Sequence, residues 1–460
     1  MYDLLIKNGR VLLPDYRFEN VNLAVKDGVI QAVVTDEPGA DRIVDATGKV
    51  VVPGAIDPHT HFGFNNSWED DFRTETRSAA IGGITTVFSY YRNRNSYSET
   101  VPPLIKSAEA NSLIDFGLHL GILTREHAEN FPHYRRELGI NAFKLYTIYS
   151  HIVNDFFAND GAEQREVLNL DTGDFMSLFA RAARENLDVV FNVHSENMDM
   201  CREARKAIEK QENKNLAWFA ASRPDIAETE SVMTIFYLAK VFGVKAYIVH
   251  LSAGSTIEAI ATNPYMQGKN LMVETCAQYL AATTDLAAGG LAKVIPPIRS
   301  QRDCDLMWEG IEKGIVNTVG SDNAPHTWES KVMDKGFEDI KVGFGSYATT
   351  YPLMIDEGYH KRGVPLEKIS QVMSTNAAKI FGAYPRKGYL GVGGDADICI
   401  IDLEKEQVVK ANMLESSQPF TIYEGRKIKG WPVMTISRGE VVMEGGIITG
   451  KAGHGRYLRR

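Results

Sequence analysis

The sequence predicts an α/β protein: a (β/α)8 barrel of the TIM type joined to a small β-sandwich that the two ends of the chain build together. Two observations predict it. Between residues 53 and 390, apolar β-branched runs alternate with longer helical stretches, which is the grammar of βα units on a parallel sheet. Before and after that region, short alternating segments separated by Asn-Gly, Asp-Gly and Arg-Gly turns read as antiparallel strands. The expected division is therefore 1–52 plus 391–460 for the sandwich and 53–390 for the barrel. In the first part, Asp3–Lys7, Val21–Val25 and Val29–Val33 are strands, with hairpin turns at Asn8-Gly9 and Asp27-Gly28. The barrel strands are Gly54–Asp57, Thr85–Tyr90, Phe116–Gly121, Ala142–Tyr146, Val189–Val193, Ala246–Val249, Leu271–Glu274 and Asn317–Gly320. Helical patterns such as Phe175–Glu185, Ser231–Phe242 and Arg302–Lys313 lie between them. Three stretches read as excursions: polar Asn154–Leu170, charged Arg202–Asn215 as a solvated helix, and Thr327–Lys341 as a lid or an interface. Ala396–Ile401, Thr421–Lys429 and Thr435–Met443 return to strand grammar. The basic end, Gly453–Arg460, reads as mobile or docked on a neighbouring subunit.

At 460 residues, 44% hydrophobic and 24% charged, the chain suits a soluble globular protein with a sizeable core. A net charge of -9 without a long basic patch excludes nucleic acid as the expected partner. Four scattered cysteines, Cys201, Cys276, Cys304 and Cys399, point to a reducing compartment. The N-terminus is not a signal peptide and no apolar run is long enough for a membrane span, so a cytoplasmic location is expected.

Catalytic groups of such barrels stand at the C-terminal ends of the strands. In Val51-Val-Pro-Gly-Ala-Ile-Asp-Pro-His-Thr-His61, His59 and His61 alternate along a strand, so both can face one point. The fifth and sixth strands end in His194 and His250, the eighth in Asp322, and Lys144 sits among apolar residues of the fourth. Imidazoles and a carboxylate form a ligand set for zinc or a similar cation. Singly, each has another reading: a hydrogen-bonded histidine, a helix cap at Asp322, a snorkelling or paired Lys144. Together, at five strand exits, they point to one shared site.

The motifs then carry a resemblance. Gly54-Ala-Ile-Asp-Pro-His-Thr-His61, Phe143-Lys144-Leu-Tyr, Val193-His194-Ser-Glu196-Asn197, Val249-His250, Glu274-Thr-Cys-Ala-Gln-Tyr-Leu280, Pro296-Pro-Ile-Arg299 and Ser374-Thr-Asn-Ala-Ala-Lys-Ile-Phe381 are similar to the cyclic amidohydrolases, the group of dihydropyrimidinase, hydantoinase and allantoinase. The likeness runs over nearly the whole chain. It implies two divalent metal ions per subunit, usually zinc, with His59, His61 and Asp322 on one and His194 and His250 on the other. Lys144 would be carboxylated by CO2 (N6-carboxylysine) and shared between them. A protonated lysine beside two dications would be repelled, and a carbamate turns that repulsion into ligation. The implied reaction is hydrolysis of a ring amide C–N bond in a cyclic amide, imide or ureide by a metal-bridging hydroxide. Tyr149 would stabilise the oxyanion and Asp322 would move the proton. A homotetramer is implied as well.

Three departures bear on the substrate. Asn323 stands where the family often has histidine, with His326 close by. Ile295 replaces a serine before Pro296-Pro297, where the family binds through the backbone. Gly345-Ser-Tyr-Ala-Thr-Thr350 replaces an asparagine-bearing stretch, with Thr349 in the asparagine's place. After the second strand, Tyr90-Tyr-Arg-Asn-Arg-Asn95 opens at the active-site face, so Arg92 or Arg94 is a candidate for an anionic part of the substrate, with a surface pair as the alternative. An allantoinase-like enzyme or another hydrolase of non-peptide C–N bonds is the alternative within the class. A non-catalytic scaffold of the same fold is the rival outside it, and such scaffolds lose metal ligands.

Overall fold

The computed structural model describes residues 1–147, 168 and 170–460. Eight parallel strands form one sheet in sequence order: Ala55–Thr60, Ile84–Tyr91, Asp115–Gly121, Ala142–Tyr146, Val190–His194, Lys245–Ile248, Leu271–Cys276 and Thr318–Gly320. The first and last meet where Thr60 pairs with Asn323 and the His61 amide donates to the Asn323 carbonyl at 2.9 Å, which brings the two edges of the sheet together. The strands are buried on both faces. That is why they read as unbroken apolar runs rather than alternating ones. Residues in register form layers across the interior: Lys144 opposes Asn192, which opposes Tyr247.

Two further sheets come from the chain ends. Val29–Val34, Asn22–Lys26, Tyr2–Lys7 and Ala40–Asp45 make one. The other runs Ile447–Ile448, Glu440–Glu444, Lys427–Ser437, Ile398–Val408, Val50–Pro53, Arg10–Leu12 and Phe18–Asn20. Leu4, Ile6, Val25, Val51, Ile398 and Ile436 pack between them in one apolar cluster. Val50–Pro53 belongs to this sheet and Ala55–Thr60 to the barrel, with Gly54 at the break. A Cβ on Gly54 would lie 2.3 Å from Thr85 Oγ1, so only glycine allows that approach.

The Asp27-Gly28 hairpin forms, with φ of 51° and 76° at its two turn residues. Asn8-Gly9 does not close a hairpin: the strands on either side enter different sheets. The charged stretch after residue 202 is helical only to Ile208, in a helix that starts at Met198. The basic end is not loose: it packs on its own barrel. Phe116 N donates to Arg456 O at 3.0 Å, Leu458 N to Phe116 O at 2.8 Å, and the Arg460 guanidinium lies 4.6 Å from the centre of the Phe88 ring. The Arg460 side chain covers the apolar floor of the barrel, while Arg456 and Arg459 stay exposed.

One buried charge cluster ties the tail, the barrel and the outer sheets. Lys387, fully buried, reaches Asp115 and Asp397 at 2.6 Å and Asp395 at 2.9 Å, while Arg438 Nε donates to Asp115 at 3.1 Å. The three aspartates converge like a cation site, but the lysine ammonium fills it. Lys387→Met is expected to lower unfolding stability by about 3–5 kcal/mol, because it strands buried carboxylates without their cation. A chemical-denaturation midpoint unchanged from the parent would contradict this. Among the described residues no helix is long and apolar enough to cross a membrane, and all four cysteines are free and buried.

Candidate metal centre and substrate cavity

The strand exits deliver their histidines to one place. His61, His59, His250 and His194 form a chain of rings with successive centroid separations of 5.1, 5.2 and 4.5 Å. His59 Nε2 lies 3.2 Å from His61 Nε2, and Asp322 Oδ1 lies 3.2 and 3.1 Å from these two nitrogens. At the other end, His194 Nδ1 and His250 Nε2 are 2.9 Å apart. His250 and Asp322 take φ of 42° and 53°. Left-handed backbone at a non-glycine residue costs on the order of 1–3 kcal/mol and is kept where the surroundings demand a side-chain direction.

In two of the four rings, a buried carboxylate sets which nitrogen faces the centre. His59 Nδ1 lies 2.7 Å from Glu274 Oε1, which leaves Nε2 for the cluster. Glu274 Oε1 also accepts from the His250 amide at 3.0 Å, and its Oε2 accepts from the Tyr247 hydroxyl at 2.7 Å. His194 Nε2 lies 2.7 Å from Glu196 Oε2, leaving Nδ1. Carboxylates behind ligand imidazoles are the usual means of fixing tautomer and ring orientation.

Lys144 is 1% exposed, and its Nζ has no hydrogen-bond partner among the described residues. It sits 4.5 Å from the centre of the Tyr90 ring, against which His59 also packs at 4.7 Å. Burial pushes this amine down to about 7, so a large share is neutral and nucleophilic near neutral pH. Burial likewise holds His59 and His250 well below the usual imidazole range, which leaves them neutral donors. Burial alone would raise Asp322, but its contacts with His59 and His61 outweigh it and hold the carboxyl below its ordinary value. Four imidazoles, a carboxylate and a buried amine without a hydrogen-bond partner among the described residues fit a site for divalent cations better than a self-sufficient hydrogen-bond network.

Above the cluster is a cavity of about 170 Å³, walled by Phe64, Tyr146, Met198, Ile295 and Val342 among others, that opens into an outer space of about 830 Å³. Lys144, His61, His194, His250 and Asp322 all line the inner part. Of the candidate substrate contacts, Ile295 and Arg92 line both spaces. Arg94 is buried and does not line either. Thr349 is buried in the helix Tyr347–Leu353, and its hydroxyl donates to Ser346 O at 3.0 Å. Tyr149 and most of 154–170 lie outside the described residues. Asn323 faces away from the cluster: its amide nitrogen donates to Glu75 at 3.2 Å and its oxygen accepts from Ser346 N at 2.8 Å. His326 lies 3.0 Å from both Val342 O and Ser330 Oγ. With Lys331 and Lys293, which donate to carbonyls of residues 337–343, it pins the stretch after the eighth strand as a wall of the cavity. Arg223 is the residue that reading the sequence passed over. It lines both spaces and grips Glu196, 27 positions away.

Fold and site together define a (β/α)8 hydrolase barrel whose mouth is built to hold cations. The chain belongs to the amidohydrolase family, whose pattern matches residues 50–442. It is 31% identical to an L-hydantoinase of Paenarthrobacter aurescens over 479 aligned residues, covering 100% of this chain and 98% of that one. It is 32% identical to an allantoinase of Rubrobacter xylanophilus over 467, with 100% and 98% covered. Among solved structures, a D-hydantoinase from Bacillus sp. AR9 superposes with a TM-score of 0.89 at 27% identity, covering 100% of this chain and 99% of that one. An L-hydantoinase (dihydropyrimidinase) from Arthrobacter aurescens gives 0.88 at 29%, with full coverage of both.

Proposed function

We propose that this protein opens the ring of a cyclic amide, imide or ureide by hydrolysing a ring amide C–N bond. The observation that carries this is the meeting, at one barrel mouth, of four imidazoles, Asp322 and a buried Lys144 that has no hydrogen-bond partner among the described residues. His59, His61 and Asp322 would hold one divalent cation and His194 and His250 a second, with Lys144, carboxylated on Nζ by CO2, completing the set. When bound, such cations, zinc by the character of the donors, supply an activated water and polarisation of the ring carbonyl.

The chain's own groups do the rest. Asp322 takes the proton released as the carbonyl is attacked and hands it to the ring nitrogen as that bond breaks. The Tyr149 hydroxyl donates to the oxyanion. Ile295 holds the ring through its main chain at the cavity wall, and Arg92 offers its guanidinium to an oxygen-rich or anionic group. The apolar walls exclude bulk water. An allantoinase-like substrate, or another non-peptide C–N bond, is the second reading, and the 32% identity to an allantoinase is compatible with it. The retained ligand cluster stands against a non-catalytic scaffold.

The same proposal extends to the molecule's setting. Residues 1–52 with 391–460 act as the sandwich unit and 53–390 as the barrel unit. The enzyme works in the cytoplasm, where four unpaired buried thiols suit reducing conditions. It assembles as a homotetramer. Ile226, Tyr237 and Val241 support this: they lie on one side of the helix Asp225–Phe242 and are each more than half exposed, with Tyr265 beside them.

The test is turnover of a panel: dihydrouracil, hydantoin, allantoin, succinimide and a lactam, followed by chromatography of the ring-opened acid. At least one is expected to be opened by zinc-loaded protein and spared after chelation. Failure to open any of the five would overturn the reading.

A further inference from the structure

The inner cavity carries two guanidinium groups on its wall, Arg92 and Arg223. Arg223 is held rigidly. Its Nε donates to Glu196 Oε1 at 2.9 Å and its Nη2 to Glu196 Oε2 at 2.6 Å, and the Arg223 carbonyl accepts from Arg299 at 3.0 Å. Nη1 makes no hydrogen bond among the described residues, and the side chain keeps 11% exposure where it lines the cavity. The grip on Glu196 therefore takes one edge of the fork and turns the other inward. Arg92 approaches over the faces of Phe64 and Tyr146, at 4.7 and 6.0 Å from their centres. Asp322 is the single carboxylate lining this cavity among the described residues, and the cation cluster already engages it.

The geometry points to a substrate ring that bears a carboxylate, selected by Arg223 and Arg92; this rests on the ring-opening reading above. A guanidinium already fixed by a second carboxylate loses little freedom when it binds an anion. A charge-assisted hydrogen bond in an apolar-walled cavity is stronger than a neutral one. A neutral substituent would cover the Nη1 hydrogens without an anionic acceptor to match them. Arg223 would thus serve two neighbours: through Glu196 it orients His194, and through Nη1 it reads the substituent.

The test compares hydantoin-5-acetic acid with its neutral isostere, hydantoin-5-acetamide, on zinc-loaded protein. Both kcat/KM and calorimetric affinity are measured. The acid is expected to win by at least about tenfold, the scale of a hydrogen bond to a charged group. Arg223→Lys and Arg92→Gln are each expected to shrink that ratio several-fold, mainly through KM for the acid. The ratio is taken within each variant, so a general loss of metal or fold cancels. A parental ratio at or below one overturns the inference, as does a ratio that neither variant moves. If neither compound is opened but the acid still binds tenfold more tightly, the ring-opening reading fails while the anion site stands.

Discussion

Replacing Lys144 with methionine is expected to lower kcat/KM for ring opening by about 10³-fold or more, the scale of losing a group that acts on transition-state charge. Methionine fills similar volume, so the barrel interior stays packed. The variant loses only the amine, which stands 1% exposed beneath the imidazoles with no hydrogen-bond partner among the described residues. An isolated buried ammonium is costly, so removing it is expected to raise or leave unchanged the midpoint of metal-free thermal unfolding. That pairing separates the two roles of the residue. If Lys144 were a structural cation paired with Glu274 or Asp322, the same substitution would destabilise the fold and leave chemistry largely intact. Steady-state kinetics and a melting curve on one preparation decide between them.

Asp322→Asn is the second large effect. The amide keeps the shape of the side chain but removes the charge that faces His59 and His61 at 3.2 and 3.1 Å. A proton carrier of this kind contributes about 10²–10⁴-fold, so kcat is expected to fall by that factor while KM moves little. The strained backbone at this position, φ 53°, is as acceptable to asparagine as to aspartate. A folding defect is therefore not the expected cause of the loss. A fall confined to KM would place Asp322 among the substrate contacts instead.

Much of this was readable from the chain because barrel strands are buried on both faces and end where chemistry happens. Val190–His194 and Lys245–Ile248 are short apolar runs, each with a histidine at or just past its end, and a parallel barrel brings such ends to one face. What stayed illegible depends on partners far away in sequence. Asn8-Gly9 carries a hairpin signal, yet the strand after it pairs with Val50–Pro53 and the strand before it with Ala40–Asp45. Nothing local encodes that divergence. Basic composition made the end of the chain look loose, but Leu458 is buried, and the half-buried Arg460 lies over the Phe88 ring and donates to Leu118 O. Arg223 precedes a proline at a helix start and has no motif of its own. Its meaning comes only from Glu196 and the cavity, which the fold supplies. Asn323 departs from the family's histidine and looks like a change at the site. In the structure its side chain bonds Glu75 and Ser346 and faces away from the imidazole cluster.

The central claim is that the cluster at the barrel mouth is a pair of cation sites on which ring opening depends. Elemental analysis of the purified protein, before and after dialysis against a chelator and paired with the hydantoin assay, tests it most directly. Two equivalents of divalent metal per chain, with activity lost and regained in step with them, are expected. Protein that carries no stoichiometric metal and still opens the ring at full rate would contradict it.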